Sequence, residues 1–145
     1  MLELRLAVEV EAAALASERA SKRDFGAVAD ALDRFSTAVR AGDNAIKEDF
    51  AFHKSIAAAT GNSRFVEFLD FLGRVIIPRQ TIRTFDESPN RQRLYLTTIE
   101  DEHAAILAAL EKRSPDGARQ AMRKHLLNSV TRYRKLSGNS QDSHN

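Results

Sequence analysis

Apolar residues recur along this chain at intervals of three and four, the repeat of a helix that buries one face. Nowhere do apolar and polar residues alternate as a half-buried strand requires. The pattern predicts an all-α chain of six helical segments, each about 17 to 25 residues long. The first runs from about Leu2 to Ala20, with Leu2, Leu6, Val10, Ala13 and Ala14 on one face. The second carries Phe25, Val28, Leu32, Phe35 and Val39, and the third Ile46, Phe50, His53, Ile56 and Ala57. The fourth carries Phe65, Phe68, Leu69, Leu72, Val75 and Ile76. The fifth holds Leu94, Leu96, Ile99, His103, Ile106, Leu107 and Leu110, and the sixth Ala118, Ala121, Met122, His125, Leu126, Ser129 and Tyr133.

Punctuation supports these divisions. Ser21 stands three residues before Asp24, the spacing of a capping box. Gly42 and Gly61 suit helix ends, where positive φ costs a glycine least. Asp43 or Asn44 is expected to open the third helix, and Asn62 or Ser63 the fourth. Pro78 removes a backbone donor and is expected to kink or break the fourth helix. The polar stretch Asp86–Asn90 reads as the longest loop, and Ser114-Pro115 is a strong start for the sixth helix. Gly138 is expected to end it. Residues 1–136 then form one domain, and the polar residues 137–145, His144 among them, a disordered tail.

Composition narrows the class. The 145 residues are 43% hydrophobic, with six glycines and three prolines, which allows one sizeable core and excludes a disordered or low-complexity chain. Lys and Arg number 22 against 20 Asp and Glu, a balance of +2 that announces neither a nucleic-acid nor a membrane surface. There is no cysteine, so any metal must be held by nitrogen and oxygen. The N-terminus lacks the basic and apolar regions of a signal peptide, and no apolar run approaches the roughly 18 residues of a membrane span. A cytoplasmic location is the expectation.

Three of the four histidines lie on the apolar faces of separate helices. A polar ring placed there must be satisfied or lose several kcal/mol to desolvation. Asp49 sits one turn before His53, so its carboxylate and the imidazole share one helix face. Each ring could be satisfied separately inside the core, with Asp49 as a hydrogen-bond partner. One divalent metal bound by Asp49, His53, His103 and His125 satisfies all four groups together and is the preferred reading.

Charge indicates a second ligand. Three neutral imidazoles and one carboxylate leave a divalent cation with residual positive charge and, at higher coordination number, open positions. A small carboxylate metabolite meets both deficits. Arg5, beside the Leu2–Leu6 stripe, is the candidate effector-binding residue, because its guanidinium can fork onto a carboxylate. The competing use of Arg5 is an ion pair with Glu9 at i+4.

Two further signals are weaker. Arg113, Arg119, Arg123, Lys124, Arg132, Arg134 and Lys135 make the chain end basic, a pattern typical of a solvated helix face. Glu100-x-x-His103 has the spacing of a di-iron carboxylate bundle, but that site needs a second such motif, and Met122 stands three residues before His125.

Asp49-x-x-x-His53, Ala59-Thr60-Gly61-Asn62, Glu102-His103-x-x-Ile106 and Ala118 through Met122 to His125-Leu126 together resemble the FadR C-terminal domain (FCD) of GntR-type bacterial transcription regulators. Glu3-Leu4-Arg5, Glu9 and Ala12-Ala13 are similar to the start of that domain. The resemblance spans about residues 1 to 136. It implies a bundle of six to seven helices, an interior metal site, an organic-acid effector and a homodimer. Asp49, His53, His103 and His125 match the family's metal positions one by one. Zinc is the first expectation, with nickel or manganese as alternatives. Members carry a winged helix-turn-helix of about 70 residues ahead of this domain. No such segment is legible here, so the chain reads as a truncated regulator whose operator contacts belong to the absent head.

A metal-dependent enzyme acting on a small carboxylic acid is the main alternative. Glu100, Asp101 or Glu102 would supply a base near His103, though no hydrolase motif accompanies them. A metal-free interaction domain is the third reading. A non-enzymatic sensor is preferred.

Overall fold

The computed structural model describes the backbone of residues 1–83 and 88–141 and the side chains of residues 1–75 and 88–132. The described residues form six helices: α1 Leu2–Arg19, α2 Lys22–Arg40, α3 Ile46–Ala59, α4 Ser63–Arg83, α5 Pro89–Glu111 and α6 Pro115–Gln141. No strand occurs among the described residues, and the all-α expectation holds.

Most boundaries follow the expected chemistry. Ser21 and Asp24 form a complete capping box at the start of α2, each side chain accepting from the other's backbone N–H. Ser114 Oγ accepts from Gly117 N at the start of α6. Gly42 and Gly61 take positive φ at the ends of α2 and α3.

Other boundaries differ. α3 starts at Ile46, after Ala45 in the left-handed region, because Asn44 Oδ1 accepts from Ile46 N in an Asx turn that delays the helix. At 14 residues α3 is shorter than expected, and α6 at 27 is longer. α4 continues past Pro78 to Arg83. Ser88 caps α5 with Pro89 in its first turn, so the expected Asp86–Asn90 loop ends earlier; Asp86 and Glu87 lie outside the described residues. Gly138 does not end α6, which reaches Gln141; of the expected tail, residues 142–145, His144 included, lie outside the described residues.

The main core joins five helices through Val10, Ala13 and Ala16 of α1, Val28 and Ala31 of α2, Phe52 and Ile56 of α3, Ile106 and Leu110 of α5, and Met122 and Leu126 of α6. Burying each large side chain of this set is worth about 1.5–3 kcal/mol. The alanines of α1 bring its backbone close to α6, the helix it contacts most extensively. Phe35, Ala38 and Val39 of α2 pack on Leu96 and Ile99 of α5 in a second cluster. α3 and α5 each contact α1 and α2, and α6 contacts α1 and α5. The inward faces of α3, α5 and α6 therefore meet beside α1.

Candidate metal centre

Asp49 lies in the first turn of α3 and His53 one turn later; His103 comes from α5 and His125 from α6. The helical repeat that buries Phe52 and Ile56 also buries His53. The repeat of Ile99 and Ile106 buries His103, and that of Met122 and Leu126 buries His125. The three histidine side chains are at most 3% exposed, whereas the Asp49 side chain keeps 27% of its surface. All four predicted ligands are brought together: one donor atom from each lies within 4.8 Å of the others.

Asp49 Oδ1 is 2.8 Å from His103 Nε2 and 3.5 Å from His53 Nε2. Neither approach is aligned as a hydrogen bond, and Asp49 Oδ1 and both ring nitrogens of His103 are buried without one among the described residues. His53 Nε2 and His125 Nε2 face each other at 3.1 Å. Ligand atoms about 2.0–2.1 Å from one tetrahedral metal sit at comparable mutual distances. Four side chains thus aim donors at a common point, two of them otherwise unsatisfied.

The outer nitrogens of two rings are taken. His53 Nδ1 is 2.6 Å from Glu9 Oε1, and Glu9 Oε2 accepts from Arg5 Nε at 2.6 Å. His125 Nδ1 is 2.7 Å from Glu102 Oε1, and Glu102 accepts from Asn128 Nδ2 and from both terminal nitrogens of Arg132. A carboxylate at Nδ1 makes that nitrogen the N–H and turns the other lone pair inward. His103 is oriented differently, stacked on Phe52 with ring centroids 4.1 Å apart and tilted against Phe35 at 4.9 Å.

Electrostatics divides the rings. Burial pushes the pKa of His103 down to about 4, against the pull of Asp49. Burial likewise lowers His125, despite its bond to Glu102. Burial also opposes charge on His53, but the Glu9 and Asp49 carboxylates overcome it and raise the pKa to about 9. Burial opposes ionisation of Glu9, yet His53 and Arg5 hold it down at about 2. Asp49, against the same burial penalty, is kept well below the usual carboxylate range by His103 and His53. At neutral pH the set therefore offers two neutral imidazoles, one carboxylate and an imidazole whose inner nitrogen holds an exchangeable proton. A nitrogen-rich donor set of this kind fits zinc or nickel and is poor for magnesium or calcium.

Arg5 carries the ion pair with Glu9 that competed with its expected role, and it also lies close enough to Asp49 to feel its charge. Three of the basic residues toward the end of the chain are committed to structure. Arg113 donates to the Ala20 carbonyl at 2.8 Å and lies over Phe25; Arg119 pairs with Glu11 and Asp116, and Arg132 with Glu102. Glu102, one candidate base near His103, is bound to His125 instead. The roles of Glu9 and Glu102 behind the rings were not apparent from sequence, because each pairs with a histidine 44 or 23 residues away.

Comparison with known proteins agrees with this architecture. The sequence model of the FCD domain family matches residues 1–128. The chain is similar to the HTH-type transcriptional regulator LutR of Bacillus subtilis (strain 168), with 30% identity over 132 residues, 88% of this chain and 58% of the relative. It is also similar to the HTH-type transcriptional repressor NanR of Citrobacter rodentium (strain ICC168), at 33% identity over 89% of this chain and 48% of the relative. The chain thus spans about half the length of these curated relatives. Among solved structures, E. coli McbR/YncC shares the fold with a TM-score of 0.79 at 19% identity, over 95% of this chain and 63% of that one. Streptococcus agalactiae GntR does so at 0.68 and 24%, over 90% and 56%. No described helix is long and apolar enough to cross a membrane. With the family model matched from the first residue through all four candidate ligands, the chain belongs to the FCD domain family of GntR-type transcription regulators.

Proposed function

We propose that this chain is the sensing domain of a transcription regulator, holding a divalent metal through Asp49, His53, His103 and His125 and binding a small carboxylate metabolite there. The observation that carries this reading is the convergence of the four donors, with two Nε2 atoms turned inward by carboxylates on Nδ1. Zinc suits the donors best, with nickel or manganese next. A metal bound here would supply Lewis acidity and positive charge to an acidic ligand.

Charge supports the anion. Arg5 balances Glu9 and Arg132 balances Glu102, so Asp49 alone among the ligands offsets a divalent ion. Asp49 is also the most exposed of the four, and Arg5 lies near it. An organic acid arriving on that side meets the cation with Arg5 as its second anchor, while Arg5 retains its Nε bond to Glu9. In the whole regulator, acid binding would shift the packing of α1, α3, α5 and α6. A homodimer would pass that shift to a winged helix-turn-helix at the operator.

A panel of small carboxylic acids tests the reading. With metal present, at least one acid should raise the Tm of the chain without being consumed, and the rise should vanish in His125→Ala. Turnover of the bound acid would make the site an enzyme, and Tm shifts that persist in His125→Ala would place the acid elsewhere.

A further inference from the structure

Behind two of the three rings stands the same device, an arginine gripping a carboxylate that grips Nδ1. Arg5 and Glu9 of α1 reach His53 of α3; Arg132 of α6 and Glu102 of α5 reach His125 of α6. An i, i+4 pair on a surface helix needs no burial, yet Glu9 is 1% exposed beneath His53. Burying a carboxylate is costly unless its partners compensate, and here those partners are a ring nitrogen and a guanidinium. Glu102 is fixed more fully: Arg132 spans both its oxygens at 2.6 and 2.7 Å, and Asn128 adds a third donor at 2.9 Å.

A neutral imidazole has two tautomers, and only the one protonated on Nδ1 presents its Nε2 lone pair to the centre. We propose that Glu9 and Glu102 are positioning residues of the metal centre: they hold His53 and His125 in the ligating tautomer and orientation, while Arg5 and Arg132 fix the carboxylates. The inference rests on the metal reading above; it adds Glu9, Glu102 and Arg132 to the machinery of the site and gives Arg5 a second role. His103 has no such relay among the described residues: Phe52 and Phe35 hold the orientation of its ring, and its Nδ1 is buried without a hydrogen bond.

The test is zinc affinity, measured by competition with a chromophoric chelator, for the wild-type chain, Glu9→Gln, Glu102→Gln, Arg132→Gln and the double variant of the last two. The absorption spectrum of the cobalt-loaded chain provides a second readout. Each Glu→Gln change should weaken zinc binding about 10- to 100-fold and alter the cobalt spectrum while helical content is retained. Arg132→Gln should weaken it less, and the double variant should fall short of the summed losses because both residues act through His125. Glu102, on the more exposed relay, decides the matter if Glu9→Gln does not fold. A folded Glu102→Gln chain binding zinc within about threefold of wild type, with an unchanged cobalt spectrum, overturns the inference alone. A wild-type chain that binds no zinc overturns the metal reading as well.

Discussion

His53 Nε2 of α3 and His125 Nε2 of α6 face each other at 3.1 Å across 72 residues of sequence. Without a metal between them, two imidazole nitrogens this close need one to donate a proton to the other. His53 is the donor, because Glu9 and Asp49 outweigh its burial and raise its pKa to about 9. That proton lies on an atom assigned here to the metal, so the two compete.

Metal binding should therefore release a proton. The folded pKa of His53 is above its ordinary 6.5, so the stability it gives the metal-free chain is fully present below pH 6.5 and is lost as pH rises through about 9. Metal affinity runs the opposite way, rising about tenfold per pH unit from near neutrality toward pH 9. Calorimetry in buffers of different protonation enthalpy measures the release; affinity independent of pH between roughly 7 and 8.5 would contradict the assignment.

Acid should destabilise the metal-free domain in two stages. His103, depressed from 6.5 to about 4 chiefly by burial, contributes stability above pH 6.5 that is lost as pH falls through about 4. Glu9 and Glu102, both held at about 2 by their partners against burial, contribute stability above pH 4.5 that is lost as pH falls through about 2. Denaturation midpoints should fall below pH 6.5 and more steeply below 4.5. Glu102→Gln should flatten the second stage, and an unchanged slope in that variant would argue against its ionised, paired state.

Phe52 serves the core and the site together, being fully buried and stacked on His103. Phe52→Ala should cost about 3–5 kcal/mol. Phe52→Leu keeps most of the volume and loses the stack, so it should cost less than half as much while still weakening metal binding. Urea unfolding and zinc titration of the Leu variant separate the two roles; zinc affinity equal to wild type would show that stacking does not orient His103.

The helix ends give a control remote from the site. Ser21→Ala removes the oxygen that caps Asp24 N and should cost about 0.5–2 kcal/mol. Gly26, inside α2 with open space around an added Cβ, should gain about 0.5–1 kcal/mol on change to Ala. Gly61→Ala at φ +73° should lose about 1–2 kcal/mol. Equal urea midpoints for the two glycine variants would contradict the backbone geometry.

The convergence of the candidate ligands was legible in sequence because the helical repeat that buries apolar residues also buries Asp49's neighbour His53, His103 and His125, and polar residues on apolar faces stand out. Ser21, Gly42, Gly61 and Ser114 marked boundaries because capping is a local interaction. Glu9 and Glu102 were not legible as ring partners, since their contacts depend on how α1, α3, α5 and α6 pack and leave no trace in local spacing. α3 starts later than its residue types suggest because the Asn44 side chain stabilises a turn at the position where it would cap a helix. Gly138 suited a helix end by residue type, but α6 runs through it.

Metal content is the decisive measurement for the four-residue site. The chain, purified without immobilised nickel and analysed for elements, should carry about one divalent ion per molecule, and His103→Ala should lose it. Fewer than about 0.2 ion per chain, unchanged by His103→Ala, would contradict a metal centre at Asp49, His53, His103 and His125.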